Sequence, residues 1–309
     1  MSVSNISNVF SFIDGVVLQE EDIEDMALEW WIPKLMVINS ISMIFSIEGQ
    51  GKSYFTYAVA KEILKHEKIR QVFYLDGDNG RRQVKQRNVG TELMRDYRFH
   101  YIHYDKLTIP THEYIKKITE HAVGLCFEGC VFFIDSARDW CIDIDHNKYS
   151  REFMTDLKMI RKHGGTVFLI HHLTKTGRQV SGSGELSKSI DSSHTLKQKG
   201  KSEDMIHYTL TAVKKRDPVE DVAFSINTVT LDLLPLDETY AELPVKDEDF
   251  VLRAIEVLKK NKKGVLQSQL LKKMGHDRTY KFGAECVKKY TDRYWEVKKM
   301  GSRNVFFTK

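Results

Sequence analysis

The chain contains no run of about eighteen apolar residues and no charged-then-apolar leader at its start, so neither a membrane span nor a secretory signal is expected. That reading gives a cytoplasmic location and no membrane partner. Cysteine is scarce, with only Cys126, Cys130, Cys141 and Cys286. Cys126 and Cys130 form a C-x3-C pair, but three of the four thiols sit in or beside apolar strand-like segments and no histidine cluster accompanies them. They read as buried free thiols, not as a zinc centre. Internal repeats and low-complexity tracts are also missing, which excludes repeat architectures.

A length of 309 residues suits one large α/β domain and a small second one, and 41% hydrophobic content supports a real core. The net charge of +4 hides an asymmetry. From Asp249 to Lys309 there are sixteen Lys and Arg against six Asp and Glu, a local net of +10, which leaves the rest of the chain acidic. Such a split suggests a catalytic body with a basic tail facing a polyanion, most naturally nucleic acid.

The segment Met43 to Leu64, MIFSIEGQGKSYFTYAVAKEIL, runs from an apolar strand through a Gly-rich turn into a helical pattern. A strand that delivers a tight loop to a helix N-terminus brings backbone N–H groups and the helix dipole onto phosphate oxygens. This is a nucleotide phosphate site built from Ser46, Gly49, Gln50, Gly51, Lys52, Ser53 and Tyr54. Lys52 supplies a mobile positive charge and Ser53 a hydroxyl for Mg²⁺, so ATP and Mg²⁺ are the expected cofactors. In the pattern G-x-x-x-x-G-K-[ST] the first position here is Ser46, with Gly49 and Gly51 left to supply the permissive backbone.

Further apolar runs end in polar or charged residues: Gln71 to Leu75 before Asp76, Val131 to Ile134 before Asp135, and Thr166 to Ile170 before His171. These read as parallel strands buried on both faces. Helical patterns lie between, over Ser53–Lys65, Arg81–Glu92, Thr111–Val123 and Tyr149–His163. The alternation predicts a doubly wound, mostly parallel sheet with its site at the carboxyl ends of the strands. Asp204–Lys214 and Val222–Leu234 read as antiparallel strands added to that sheet. The expected division is an N-terminal extension (1–29), an ATPase core (30–235), a linker with Pro244 and several acids (236–248), and a basic domain (249–309). In the last, helical patterns over Phe250–Lys260, Leu266–Met274 and Thr279–Tyr290 precede a hairpin turning at Gly301-Ser302, the order of a winged helix. Such a unit either contacts duplex or forked DNA or docks another protein.

Asp135, closing VFFID, is a carboxylate placed to hold Mg²⁺ with Ser53. With it in place the order of segments resembles the RecA-like core of hexameric replicative helicases, especially the compact plasmid and phage helicases of the RepA type, over approximately Trp30 to Thr230. The resemblance implies a RecA-like P-loop NTPase fold and a catalytic acid in a Y-L-x-x-E-[DE] context. Here that stretch is Tyr74-Leu75-Asp76-Gly77-Asp78-Asn79, so Asp78 falls on the position that orients the attacking water, with Asp76 as its competitor. By the same resemblance His172, in His171-His172-Leu173-Thr174-Lys175, senses the γ-phosphate. The following loop, with Lys175, Arg178, Ser181 and Ser183, would hold single-stranded DNA. Lys214 and Arg216 would reach the γ-phosphate of a neighbouring subunit as an arginine finger. The function implied is that of an ATP-driven, ring-forming motor on single-stranded DNA, a homo-oligomer expected to be hexameric, with a primase or polymerase as candidate partner. Its setting would be a bacterial host cytoplasm. The alternative is a nucleotide-switched DNA-binding regulator, helicase loader or recombination mediator.

Overall fold

The computed structural model describes residues 17, 18, 20, 27–122, 126–173, 182–202, 204–236 and 245–309. The chain enters through a small antiparallel pair, β1 (Trp30–Ile32) and β2 (Met36–Val37), and then β3 (Ile41–Ser46) leads into α1 (Lys52–Ile63). Next come β4 (Gln71–Asp76), α2 (Arg81–Gln86), α3 (Val89–Glu92), β5 (Phe99–His103), α4 (Thr111–Ala122) and β6 (Cys130–Asp135). They are followed by α5 (Ala137–Trp140), α6 (Asn147–Lys162), β7 (Thr166–His172), α7 (Gly184–Ser189), and the long strands β8 (Ser192–Ser202) and β9 (Met205–Lys215). A second hairpin, β10 (Val222–Asn227) and β11 (Leu233–Leu236), completes a sheet ordered β11-β10-β9-β8-β3-β7-β6-β4-β5.

The six strands from β5 to β8 in that order are parallel and the last three antiparallel, so the fold is α/β with a mostly parallel sheet, as expected. Strand periodicity divides the core between its two faces. Val131 and Phe133 of β6 join Ile44, Phe168 and Ile170 on one face, while Phe132 and Ile134 join Met43, Phe45, Val167 and Leu169 on the other. α1 covers the first face, and α5, α6 and α7 cover the second.

Several elements differ from the sequence reading. The helical pattern Arg81–Glu92 is broken into α2 and α3 by Asn88, which sits at φ 57°. Val222–Leu234 is two strands, because Asn227 Oδ1 accepts from the N–H groups of Val229 and Thr230 and Leu231 takes φ 57°. Cys126 is exposed, and only the other three thiols are buried; all four are free.

The C-terminal unit comprises α8 (Val245–Lys260), β12 (Val265–Leu266), α9 (Gln267–Lys273), α10 (Lys281–Lys289), β13 (Trp295–Met300) and β14 (Arg303–Thr308). α8 begins inside the expected linker, and β12 adds a third strand to the hairpin in the order β12-β14-β13. Trp295, Tyr290, Leu258 and Ala254 form its core, into which Ala223 of β10 also packs.

Asp191 ties the two halves of the sheet. Its carboxylate accepts the Ile41 N–H at 2.9 Å and Arg161 Nη1 at 2.6 and 2.7 Å, and its own N–H donates to Ile41 O. Asp191→Ala leaves the Ile41 N–H and the half-buried guanidinium without this acceptor. Urea unfolding should show a loss of about 2 kcal/mol; an unchanged midpoint would contradict that role.

Candidate functional site

The carboxyl ends of β3, β6 and β7 converge beneath a cleft of about 600 Å³ whose walls include Gly49, Gly51, Lys52, Ser53, Asp78 and Asp135. After Ser46 the chain turns through Gly49 and Gly51 at φ 76° and 70°, a region where only glycine sits without strain. At Gly51 a Cβ would also collide with the Tyr208 hydroxyl. α1 then starts at Lys52. Among the described residues no side chain caps it and no acid lies in its first turn, so its leading N–H groups and positive dipole end remain available to an anion.

Lys52 is 7% exposed, and its Nζ donates to Ser46 Oγ and Ile47 O at 3.3 Å and to His172 Nδ1 at 3.2 Å. Burial lowers its pKa, opposed by the charges of Asp135, Asp78 and Glu48. His172 pairs with Ser46 across β3 and β7. Burial and then the Lys52 charge hold its pKa below the ordinary value, consistent with a neutral ring that accepts from the ammonium.

Asp135 and Asp76 face each other in register at the ends of β6 and β4. Both are buried, at 2% and 0% exposure. Asp135 Oδ2 accepts from the Tyr74 hydroxyl at 3.0 Å and from Asn79 Nδ2 at 3.3 Å, and the nearby Ser53 hydroxyl favours the charged form. Its pKa is pushed up to about 7, first by burial and then by the Asp76 charge. Asp76 is taken up by the turn that follows it. Oδ1 accepts from the N–H groups of Asp78 (3.0 Å) and Asn79 (2.9 Å) and from Asn79 Nδ2 (3.0 Å), while the Tyr101 hydroxyl donates to Oδ2. Asp78, by contrast, is exposed and lines the cleft. The two acids thus occupy different positions, one holding the turn and one facing solvent.

Three groups at this site carried no sequence signal. Asn79 bridges both carboxylates, and Arg87 Nη1 donates to Asn79 Oδ1 at 2.5 Å while its guanidinium lies 5.5 Å from the Tyr54 ring centroid. Asp139 accepts from Ser136 Oγ at 2.5 Å and lines the same cleft, with burial raising its pKa. Asn79 reaches Asp135 across the sheet, whereas Asp139 is held by Ser136 only three residues away.

Other expected residues lie elsewhere. Gln50 Oε1 accepts from the Gln198 N–H of β8 at 3.0 Å. Lys214 Nζ donates to the carbonyls of Ser187 and Lys188, and Arg216 Nη2 to that of Lys188, so both sit beside the end of α7 and do not line this chain's own cleft. Ser183 is 8% exposed and its Oγ caps α7 through the Glu185 N–H. Lys175, Arg178 and Ser181 fall outside the described residues.

The donor set fits a hard divalent cation that keeps waters and takes phosphate oxygens. One carboxylate and one hydroxyl, Asp135 and Ser53, lie together, and among the described residues no group of three or more His, Cys, Asp or Glu forms a cage. Among them, too, no helix is long and apolar enough to cross a membrane.

No protein-family model and no curated protein sequence matches the chain. Solved structures do. One described as an ATPase domain aligns over 64% of this chain and 85% of its own, with 14% identity and a TM-score of 0.49. The flagellar accessory protein FlaH of Methanocaldococcus jannaschii aligns over 65% and 90%, with 14% identity and a TM-score of 0.46. A DnaB-like replicative helicase, solved in a study of its interactions with primase, aligns over 64% of this chain and 58% of that one, with 16% identity and a TM-score of 0.49.

The raised Asp135 pKa has a consequence for stability. The folded carboxyl keeps its proton up to about pH 7, whereas in the unfolded chain it is lost near 3.8. Between those values the folded state binds more protons, so this group's contribution to stability falls as pH rises and levels off above 7. The change should reach up to about 4 kcal/mol at about 1.4 kcal/mol per unit. Denaturant titrations without nucleotide should show Asp135→Asn gaining on the wild type from pH 4 to 8; parallel pH curves would contradict the shift.

Proposed function

We propose that the chain is an ATP-driven, ring-forming motor with a RecA-like core that moves along single-stranded DNA, of the kind used as a phage or plasmid replicative helicase. The observation that carries the reading is the convergence, in one cleft, of the α1 N-terminus with Lys52 and Ser53, the paired Asp135 and Asp76, the exposed Asp78, and His172 on Lys52. On this reading Lys52 and the loop N–H groups hold the β- and γ-phosphates, and Ser53 and Asp135 hold Mg²⁺. Asp78 orients the attacking water, and His172 reports the phosphate state to the loop carrying Lys175, Arg178 and Ser181.

The position of Lys214 and Arg216, beside α7 and away from this chain's own cleft, supports their being offered to the cleft of an adjacent subunit. That supports a homo-oligomer whose sites are shared. The C-terminal unit, with three helices, a three-stranded sheet and a net +10 from Asp249 to Lys309, reads as a winged helix that contacts duplex or forked DNA. The same unit favours a second reading, a nucleotide-switched DNA-binding regulator, loader or recombination mediator. Sustained ATP-dependent unwinding of a fork supports the motor; slow hydrolysis with site-specific duplex binding supports the switch.

Lys52→Ala should abolish ATP hydrolysis and leave the thermal midpoint near wild type; hydrolysis at the wild-type rate would remove the phosphate-site reading. Arg216→Ala should keep ATP affinity but lose about a thousandfold in DNA-stimulated rate, the lower range for an arginine finger. Mixing it with Lys52→Ala subunits should restore activity at interfaces that pair the intact halves. Co-assembly without recovery would show that the site is not shared.

A further inference from the structure

The phosphate loop is tied on its outer side to the hairpin of β8 and β9. Gln198 pairs with Tyr208 and Gly200 with His207, so Lys199 is the extra residue of a β-bulge. Bulges re-aim backbone groups. Beside this one the Gln198 N–H donates to Gln50 Oε1 at 3.0 Å. Opposite it, Tyr208 is fully buried with its ring edge-on to Phe55, centroids 5.7 Å apart, and its hydroxyl donates to Gly51 O at 3.0 Å. Burial raises the Tyr208 pKa, which keeps the hydroxyl protonated as a donor.

Gly51 O accepts a second bond, from the Phe55 N–H at 3.2 Å. The peptide plane between Gly51 and Lys52 is rigid and trans, so a carbonyl fixed by two donors fixes the Lys52 N–H pointing the opposite way. That N–H is the first donor of α1. Space enforces the same arrangement, because any side chain at position 51 would displace the Tyr208 hydroxyl.

We propose that Tyr208, together with Gln50 and Gln198, is a positioning group for the phosphate loop, and that the β8–β9 hairpin thereby sets polyphosphate affinity. The inference rests on the nucleotide-site reading. Tyr208→Phe keeps the buried ring and removes only the hydroxyl, and Gln50→Met keeps side-chain length and removes the acceptor. In the full chain, each should raise the Kd for Mg·ADP and the KM for ATP about five- to tenfold, the range for one net hydrogen bond. The kcat should stay within about twofold and the melting temperature within a few degrees, since the core packing is untouched. Unchanged Kd and KM in both variants would overturn the proposal, as would lowered melting temperature and kcat at constant KM, the pattern of a purely structural bond. A wild type that binds Mg·ADP while Tyr208→Phe binds it equally well removes only this inference. A wild type that binds neither nucleotide removes the site reading along with it.

Discussion

Two carboxylates held side by side out of water set the terms for the rest of this molecule. Adjacent parallel strands in register deliver Asp76 and Asp135 to the same level at the sheet's carboxyl edge. Two like charges cannot share so dry a place without compensation. The chain resolves the conflict unequally. Asp76 collects two backbone N–H groups, the Asn79 amide and the Tyr101 hydroxyl. Asp135 has fewer donors, and burial pushes its pKa up to about 7.

That asymmetry explains the surrounding architecture. Tyr74 donates to Asp135 and meets Thr56 of α1 at 2.7 Å, so the buried acid, the phosphate-loop helix and β4 form one hydrogen-bonded unit. Its ring stacks on that of Tyr101 with planes 2° apart, and Tyr101 reaches Asp76. β7 lies between β3 and β6, placing His172 between the phosphate loop and the acids. The outer, antiparallel part of the sheet contributes Tyr208 and Gln198 to the other side of the loop. The loop is therefore clamped between a carboxylate network and a hairpin.

The parallel core was legible because its strands are apolar on both faces: VFFI of β6 and TVFLI of β7 can only be interior. The Gly-rich turn between β3 and α1 was legible because its glycines, lysine and serine are contiguous in sequence. β5 and β8 carried no such signal, for opposite reasons. β5 is an edge strand with His100 exposed, so it lacks a continuous apolar run. β8 buries polar groups that only tertiary partners satisfy, Ser192 on Ser42 at 3.0 Å and His194 on Glu220 O at 3.0 Å. Arg87, Asn79 and Tyr208 were invisible for the same reason: they act through residues brought to them by the fold. The choice between Asp76 and Asp78, open in the sequence, becomes a contrast of environments once the turn is seen.

The central claim is that burial favours the protonated form of Asp135 and that, on the proposed nucleotide-site reading, Mg²⁺ bound with phosphate would displace that proton to the buffer. Calorimetry of Mg·ADP binding in buffers of different ionisation enthalpy measures this directly. Relative to Asp135→Asn, the wild type should release close to one proton per site at about pH 6 and almost none at about pH 9. Equal proton release by the two proteins at pH 6 would contradict the account.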